Sequence, residues 1–452
     1  VQKGKNMHKV LILGAGMVAR PMVRYLLENG VHVTMASRTA SKAEAMIQGH
    51  PLGKAVAWTV DDDATLSKLV NENDVVVSLL PYAHHLLVAK HCLQHRRNMV
   101  TTSYVKPDMQ ALDREAKDRG ILILNEIGLD PGIDHMSAMR IIDHVHGKKG
   151  KIREFYSLCG ALPAPEAADN PFRYKFSWSP RGVIMAGNNT GKYLKKEQIV
   201  DIPTEELFRD TFRLYFPEAG ELEVYPNRDS LTYQNIYGIP EADTLFRGTF
   251  RFPGWCETFD ALKALHLTSM EKIPLKGKTY AGMLTFLLGE QETHSIRSLV
   301  AKRLDLAGNA HALDAMEWLG LFSNRPVNRD EDSPFEVLAG LMLDKMMLGK
   351  EDRDMVVMQH TFLAEYTGGK QEVIRSRMLD FGTPEKDTAV ARTVSLPAAI
   401  AVRMLLEGKV GTKGVHRPVI PEIYEPVLNE LEKVNILLTE EFDLPVSENI
   451  RW

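Results

Sequence analysis

The stretch that decides the fold is His8–Gly30, "HKVLILGAGMVARPMVRYLLENG". It reads as a strand, a glycine turn and a helix. "KVLIL" is continuously apolar, as a strand covered on both faces must be. Gly14, Gly16 and Ala19 then form the pattern G-x-G-x-x-A. Gly14 permits the tight turn, Gly16 lets backbone approach a pyrophosphate, and Ala19 lets helix and strand pack closely. The helix start offers unpaired N–H groups to a phosphate. Val18, Met22 and Leu26 mark its buried stripe. Pro21 lies near the end of the first turn and forfeits at most one helical hydrogen bond.

Further strand and helix units follow: "VHVTMAS", "AVAWTV", "DVVVSLLP", "NMVTTSYV" and "ILILNEIG". That alternation predicts a doubly wound parallel sheet. About twenty residues beyond the glycines, an NAD site places an acid on the ribose hydroxyls. This chain has "ASRT" there. No carboxylate repels a 2′-phosphate, Arg38 can pair with one, and Ser37 and Thr39 can donate hydrogen bonds. NADP(H) is therefore the expected cofactor. The competing reading is an exposed arginine in an NAD enzyme.

The chain has 452 residues, enough for two or three domains with sizeable cores, and a formal charge of −4. Nothing marks a nucleic-acid surface or an anionic-membrane surface, so neither partner is expected. No apolar run is expected to span a bilayer. The basic opening "VQKGKNMHKV" precedes a strand, not a signal peptide. Cys92, Cys159 and Cys256 are far apart and form no CxxC pair, which fits a reducing cytoplasm.

Ligands bind beyond the carboxyl ends of such strands. The fourth strand ends in "SLLPYAHH", the fifth in "TTSYVKP" and the sixth in "NEIGLDPGIDH". Ser103, Tyr104 and Asp130 should line one crevice. Pro131 restricts Asp130 to extended backbone, and Gly132 supplies the freedom the turn needs. Asp134 is expected to cap the helix "HMSAMRIIDHV". For Asp130 a ligand-facing role competes with capping. His135 is open to a titrating or a structural role. His84, His85, His91 and His95 share one helical stretch and are expected on a solvated face. No cysteine or acid completes a metal site with them, and no metal is expected.

Beyond about residue 130 the βα rhythm stops. "IREFYSLCGALPAP" reads as a strand leading into a loop, and "DMVVMQHTFLAEY" with "KQEVIRSRMLDF" as a hairpin. Residues from about 270 to 350 are rich in leucine and methionine and read as helical. "SLPAAIAVRMLLEGKVG" makes a helix that can return to the nucleotide domain. Several arginines beside aromatics suggest a substrate with several carboxylates, because arginine binds these bidentately.

The glycine turn with "ASRT", "SLLPYAHHLLVAKHC", "NMVTTSY", "GLDPGIDHMSAM", "CGALPAPEAADNPFRYKFSWSPRGV", "YPNRDS" and "RGTFR" together resemble the saccharopine dehydrogenase family of the L-glutamate-forming type. The resemblance runs from Lys9 to "KGVHRP" near residue 416. It implies an α/β fold with a Rossmann-type doubly wound parallel sheet, an α/β substrate domain and a small helical domain. The implied boundaries are 7–130 with a return at about 390–452, 131–268 with 352–389, and 269–351. It also implies a homodimer in lysine metabolism. Nucleotide contacts fall by resemblance on Gly14, Ala15, Gly16, Met17, Val18, Ser37, Arg38, Thr39, Leu79, Thr102, Ser103, Leu129, Asp130, Pro131 and Ser179. Saccharopine contacts fall on Ser103, Tyr104, Asp130, Arg228, Thr249, Phe250 and Arg251. Phe250 stands where many members carry leucine. Asp130 and Tyr104 are the candidates for proton handling. Arg228 and Arg251 are the candidate carboxylate clamps. The implied reaction condenses 2-aminoadipate semialdehyde with glutamate and reduces the imine with NADPH, or runs in reverse. The rivals are a related reductive-condensation enzyme, such as carboxynorspermidine dehydrogenase, and an NADPH-sensing protein without catalysis.

Overall fold

The computed structural model describes residues 8–290, 295–308 and 310–452. Residues 1–7, 291–294 and 309 of the segments named above lie outside the described residues. The chain divides into two compact units. One holds the residues up to Gly150 with Ser376–Glu440, the other Lys151–Arg375 with Glu441–Trp452.

The first unit is built on a parallel sheet of seven strands. These include β1 (Lys9–Leu13), β2 (His32–Ser37), β3 (Gly53–Ala57), β4 (Val75–Ser78), β5 (Asn98–Thr101) and β6 (Leu122–Leu124). With the strand Gly414–His416 at one edge, the order is Gly414–His416, β6, β5, β4, β1, β2, β3. The order reverses beside β1, which creates the switch point where ligands bind. Helices α1 (Arg20–Glu28), α2 (Ala40–Ile47), α3 (Asp63–Asn71) and α4 (His85–His95) cross between the first five strands. Val10, Leu11, Ile12 and Leu13 are fully buried, as are Val76 and Val77, so the central strands are covered on both faces.

Register places the strand ends side by side. Leu13 pairs with Ala36 and with Ser78, and Ser78 pairs with Thr101. Gly14, Leu79 and Thr102 therefore leave the sheet along one edge. Gly14 has φ +108°, and a Cβ there would sit 3.0 Å from the carbonyl oxygen of Leu79. Only glycine fits so close a crossing.

β6 is shorter than the apolar run "ILILNEIG" suggests: it ends at Leu124. The amide of Asn125 donates to the His416 carbonyl and that of Glu126 to the Ser103 carbonyl. Glu126 takes a left-handed φ of +57°, which breaks strand geometry. The chain then passes through the cis Asp130–Pro131 peptide to α5 (Ile133–Gly147). Asp134 lies inside this helix, not at its cap. Its carboxylate accepts from the Gly132 amide, which steadies the turn from within.

The helix Ala389–Leu406 belongs to the first unit and packs on α1 and on β5. Its length and composition suffice to cross a bilayer, contrary to the expectation that no run would, but it is mostly buried as a core helix. Buried Thr393 and Ser395 donate to the carbonyls of Ala389 and Ala391, one turn back.

The second unit carries a mixed sheet. Its path runs Phe212–Phe216, Gly220–Pro226, Thr244–Arg251, Lys151–Pro163, Asp354–Glu365, Gln371–Phe381 and Leu438–Leu444. The expected hairpin is present as Asp354–Glu365 and Gln371–Phe381. The segment expected as a separate helical domain falls within this unit. There Trp255–Ala264 packs on His311–Leu319, and Pro334–Lys345 on Pro180–Ala186. Residues 131–150 join the first unit, because α5 packs on the helix Pro421–Lys433. All three cysteines are buried.

The turn after β6 gives a direct test. At Gly132, φ is +150° and a Cβ would overlap the backbone of Gly128. Gly132→Ala should lower the thermal midpoint steeply, costing more than about 3 kcal/mol, because backbone cannot yield as a side chain does. A midpoint equal to wild type would contradict this packing.

Candidate active site

The glycine turn is open where a dinucleotide phosphate would lie. A Cβ added at Gly16 meets no described atom within 4 Å. The first turn of α1 contains no acid, and no side chain caps it. Its N–H groups thus face outward without a competing carboxylate. At the end of β2, Arg38 and Thr39 are exposed, and among the described residues no carboxylate pairs with Arg38. The Thr39 amide is oriented by Ser37 Oγ at 3.4 Å. These groups fit a dinucleotide bearing a 2′-phosphate.

Farther along the same edge lies a cleft of about 410 Å³, lined by Tyr82, His85, Tyr104, Lys106, Asp108 and Asn125 among others. The Tyr104 hydroxyl donates to Asp130 Oδ1 at 3.0 Å. Both side chains come from loops leaving adjacent strands, β5 and β6. The helix cap is Gly132, so capping is not the task of Asp130. Leu79, Thr102 and Ser103 are partly exposed along this edge, whereas Leu129 and Pro131 are buried beneath it.

The four histidines do not share a solvated face. His85 is 4 % exposed and His91 is also buried. His91 Nε2 bonds Asp63 at 2.8 Å and His95 Nε2 bonds Ser67 at 2.8 Å. The reason is packing: α4 lies against α3, which supplies Asp63 and Ser67 as partners for the Nε2 atoms. His85 instead points to the strand ends, bonding Ser78 through Nδ1 at 2.8 Å and Ser103 through Nε2 at 2.7 Å. Burial, with His84 nearby, pushes His85 down to about 4, so it is neutral near pH 7.

Glu126 was not expected to matter, and it organises this edge. It is 1 % exposed. Oε1 accepts from the Val105 amide and from Arg417 Nε, each at 2.8 Å, and Oε2 bonds His135 Nε2 at 2.8 Å. Burial alone would raise its carboxyl. His135, Arg417 and the Val105 amide outweigh burial and hold it below the ordinary carboxylate value. His135 is thus a buried structural partner. The readable signal was a single acid inside an apolar run at a strand end.

The remaining expected residues belong to the second unit. Ser179 caps the helix Pro180–Ala186 by accepting from the Gly182 amide. Arg228 is exposed with a left-handed φ of +58°. Thr249, Phe250 and Arg251 lie on the strand Thr244–Arg251. Arg251 is not the open clamp that the sequence suggested. It is 4 % exposed, its guanidinium lies 5.2 Å from the Tyr174 and Trp255 rings, and Nη1 donates to the Phe250 carbonyl.

The parallel sheet, its phosphate-ready glycine turn and the polar crevice on its carboxyl edge define a dinucleotide-dependent oxidoreductase. Residues 10–124 match the saccharopine dehydrogenase NADP binding domain, and residues 128–436 the saccharopine dehydrogenase C-terminal domain. The chain therefore belongs to the saccharopine dehydrogenase family. It is 38 % identical over 96 % of its length to "Saccharopine dehydrogenase [NADP(+), L-glutamate-forming]" of Schizosaccharomyces pombe, covering 99 % of that protein. It is 36 % identical over 95 % of its length to the alpha-aminoadipic semialdehyde synthase of Bos taurus, covering 47 % of it. The solved apo saccharopine dehydrogenase (L-Glu forming) of Saccharomyces cerevisiae matches with a TM-score of 0.88 at 36 % identity, over 96 % of this chain and 99 % of that one.

Glu126→Gln keeps the shape and removes the charge that pairs with Arg417 and weakens the acceptor that bonds His135. It should cost about 2–3 kcal/mol at pH 7, read as a lower unfolding midpoint. A carboxyl held below its usual value stabilises above its unfolded pKa, and that contribution fades as pH falls through the folded value. The gap between variant and wild type should therefore narrow in acid. Equal midpoints at pH 7 would contradict the hub.

Proposed function

We infer that this chain interconverts saccharopine with 2-aminoadipate 6-semialdehyde and L-glutamate, using NADP(H), in lysine metabolism. The observation that carries this reading is one sheet edge bearing both an open, acid-free phosphate turn and the Tyr104–Asp130 pair. The end-to-end similarity to enzymes of that name supports it.

NADP, when bound, supplies the hydride acceptor. Gly16 and the first-turn amides of α1 would hold its pyrophosphate, and Ser37, Arg38 and Thr39 its 2′-phosphate. The protein's own share is positioning and charge. Asp130, fixed by Tyr104, presents an anion that stabilises the positive charge of the substrate's amine or iminium nitrogen. Tyr104 keeps a hydroxyl within reach for proton handling. Arg228, exposed, is the carboxylate clamp. Arg251 bonds the Phe250 carbonyl and steadies the Thr249–Phe250 segment for backbone contacts. Three buried thiols accord with a cytoplasmic setting, and the family resemblance implies a homodimer.

The test is NADP reduction by the purified chain with saccharopine. Robust turnover is expected, with other N-linked amino diacids much poorer. Arg38→Asp should raise the KM for NADP at least about tenfold while NAD changes little, because it sets a carboxylate against the 2′-phosphate in place of a charge-assisted pair. An unchanged NADP over NAD preference would overturn the cofactor assignment. Absence of saccharopine turnover would overturn the function.

A further inference from the structure

His85 is a buried histidine that the mechanism above does not use. It reaches two hydroxyls on the strand ends and lines the cleft beside Tyr104. We propose that His85 is a positioning residue that sets the hydrogen-bond polarity of Ser103, which is partly exposed beside Tyr104, turning its oxygen into an acceptor for an N–H donor at that sheet edge.

The argument is a count of protons. Two hydroxyls approach His85 Nε2: Ser103 Oγ at 2.7 Å and Thr101 Oγ1 at 3.3 Å. Thr101 is fully buried, and its oxygen already accepts from the Ser103 amide at 3.4 Å. Its proton therefore needs an acceptor, and Nε2 is the near one. A protonated Nε2 would oppose that proton. A bare Nε2 offers one lone pair, which takes the Ser103 proton at 2.7 Å with the Thr101 proton as a longer branch at 3.3 Å. The ring proton then sits on Nδ1 and is donated to Ser78 Oγ at 2.8 Å. This tautomer gives the buried Thr101 proton an acceptor and the buried Ser78 oxygen a donor. Ser103, having given its proton to Nε2, keeps lone pairs for a donor at the partly exposed sheet edge. A protonated amine or a carboxamide N–H is the chemical class it suits. A carboxylate is the class it rejects.

The imidazole must be neutral for this, and its burial keeps it so. Glu126 complements it from the other side. By accepting from the Val105 amide and donating its own amide to the Ser103 carbonyl, Glu126 fixes the backbone on which Ser103 turns.

The proposal rests on the saccharopine reading for its kinetic consequence but not for the tautomer. The test has two arms. Neutron diffraction from deuterium-exchanged crystals should show deuterium on Nδ1 of His85 and none on Nε2. Deuterium on Nε2 overturns the proposal, whatever the substrate proves to be. In the kinetic arm, His85→Leu keeps bulk and removes the acceptor. It should lower kcat/KM for saccharopine about tenfold, the worth of one hydrogen bond, with the thermal midpoint near wild type. His85→Gln restores an acceptor carbonyl and should recover most of that loss. The double variant with Ser103→Ala should be no worse than Ser103→Ala alone, since His85 acts through Ser103. Additive losses, or no recovery in a folded Gln variant, overturn the proposal. A wild-type chain inactive on saccharopine while deuterium sits on Nδ1 would instead refute the functional reading and leave the positioning role standing.

Discussion

The active edge depends on one buried carboxylate. Glu126 joins three parts of the chain distant in sequence: the loop after β5 through Val105, the helix α5 through His135, and the C-terminal return through Arg417. Such a charge is costly to bury unless it is fully paired. Here every partner is in place, and its carboxyl stays ionised. The loop it holds carries Ser103 and Tyr104, and the turn that follows carries Asp130. The backbone at Glu126 is left-handed, a conformation of the kind that persists where surroundings over-determine it.

Around that hub, charge is distributed by role. The phosphate turn has amides and Arg38 and no acid. The Tyr104–Asp130 pair brings a carboxylate and a hydroxyl to the same edge. His85 stays neutral between two hydroxyls. In the second unit, Arg251 is enclosed by aromatic rings, while Arg228 lies exposed. The same residue type thus sits in two opposite settings.

Much of this was legible in the sequence, for identifiable reasons. A continuously apolar strand followed by G-x-G-x-x-A has few other solutions, and the parallel arrangement of the sheet follows from the alternation of elements. Asp130 and Tyr104 stood out because polar residues at the carboxyl ends of buried strands have few structural uses. The misses share a cause: they depend on contacts between distant segments. His85 and His91 looked solvated because a helical stretch does not reveal which neighbour covers it. Glu126 passed as part of a strand, since its partner Arg417 is 291 residues away. Arg251 looked like an open clamp because aromatic neighbours in sequence do not show that they enclose it. The helical segment looked like a domain, yet its helices pack within the second unit.

The central claim is that Asp130 serves the substrate and not the fold. Asparagine in its place keeps the shape and loses the charge, and asparagine caps helices about as well as aspartate. The decisive measurement is steady-state saccharopine oxidation by Asp130→Asn, with its thermal midpoint and NADPH affinity taken on the same preparation. The account predicts a fall in kcat/KM of at least about tenfold, the worth of one charge-assisted hydrogen bond, with midpoint and NADPH affinity nearly unchanged. Wild-type kinetics in the folded variant would contradict it.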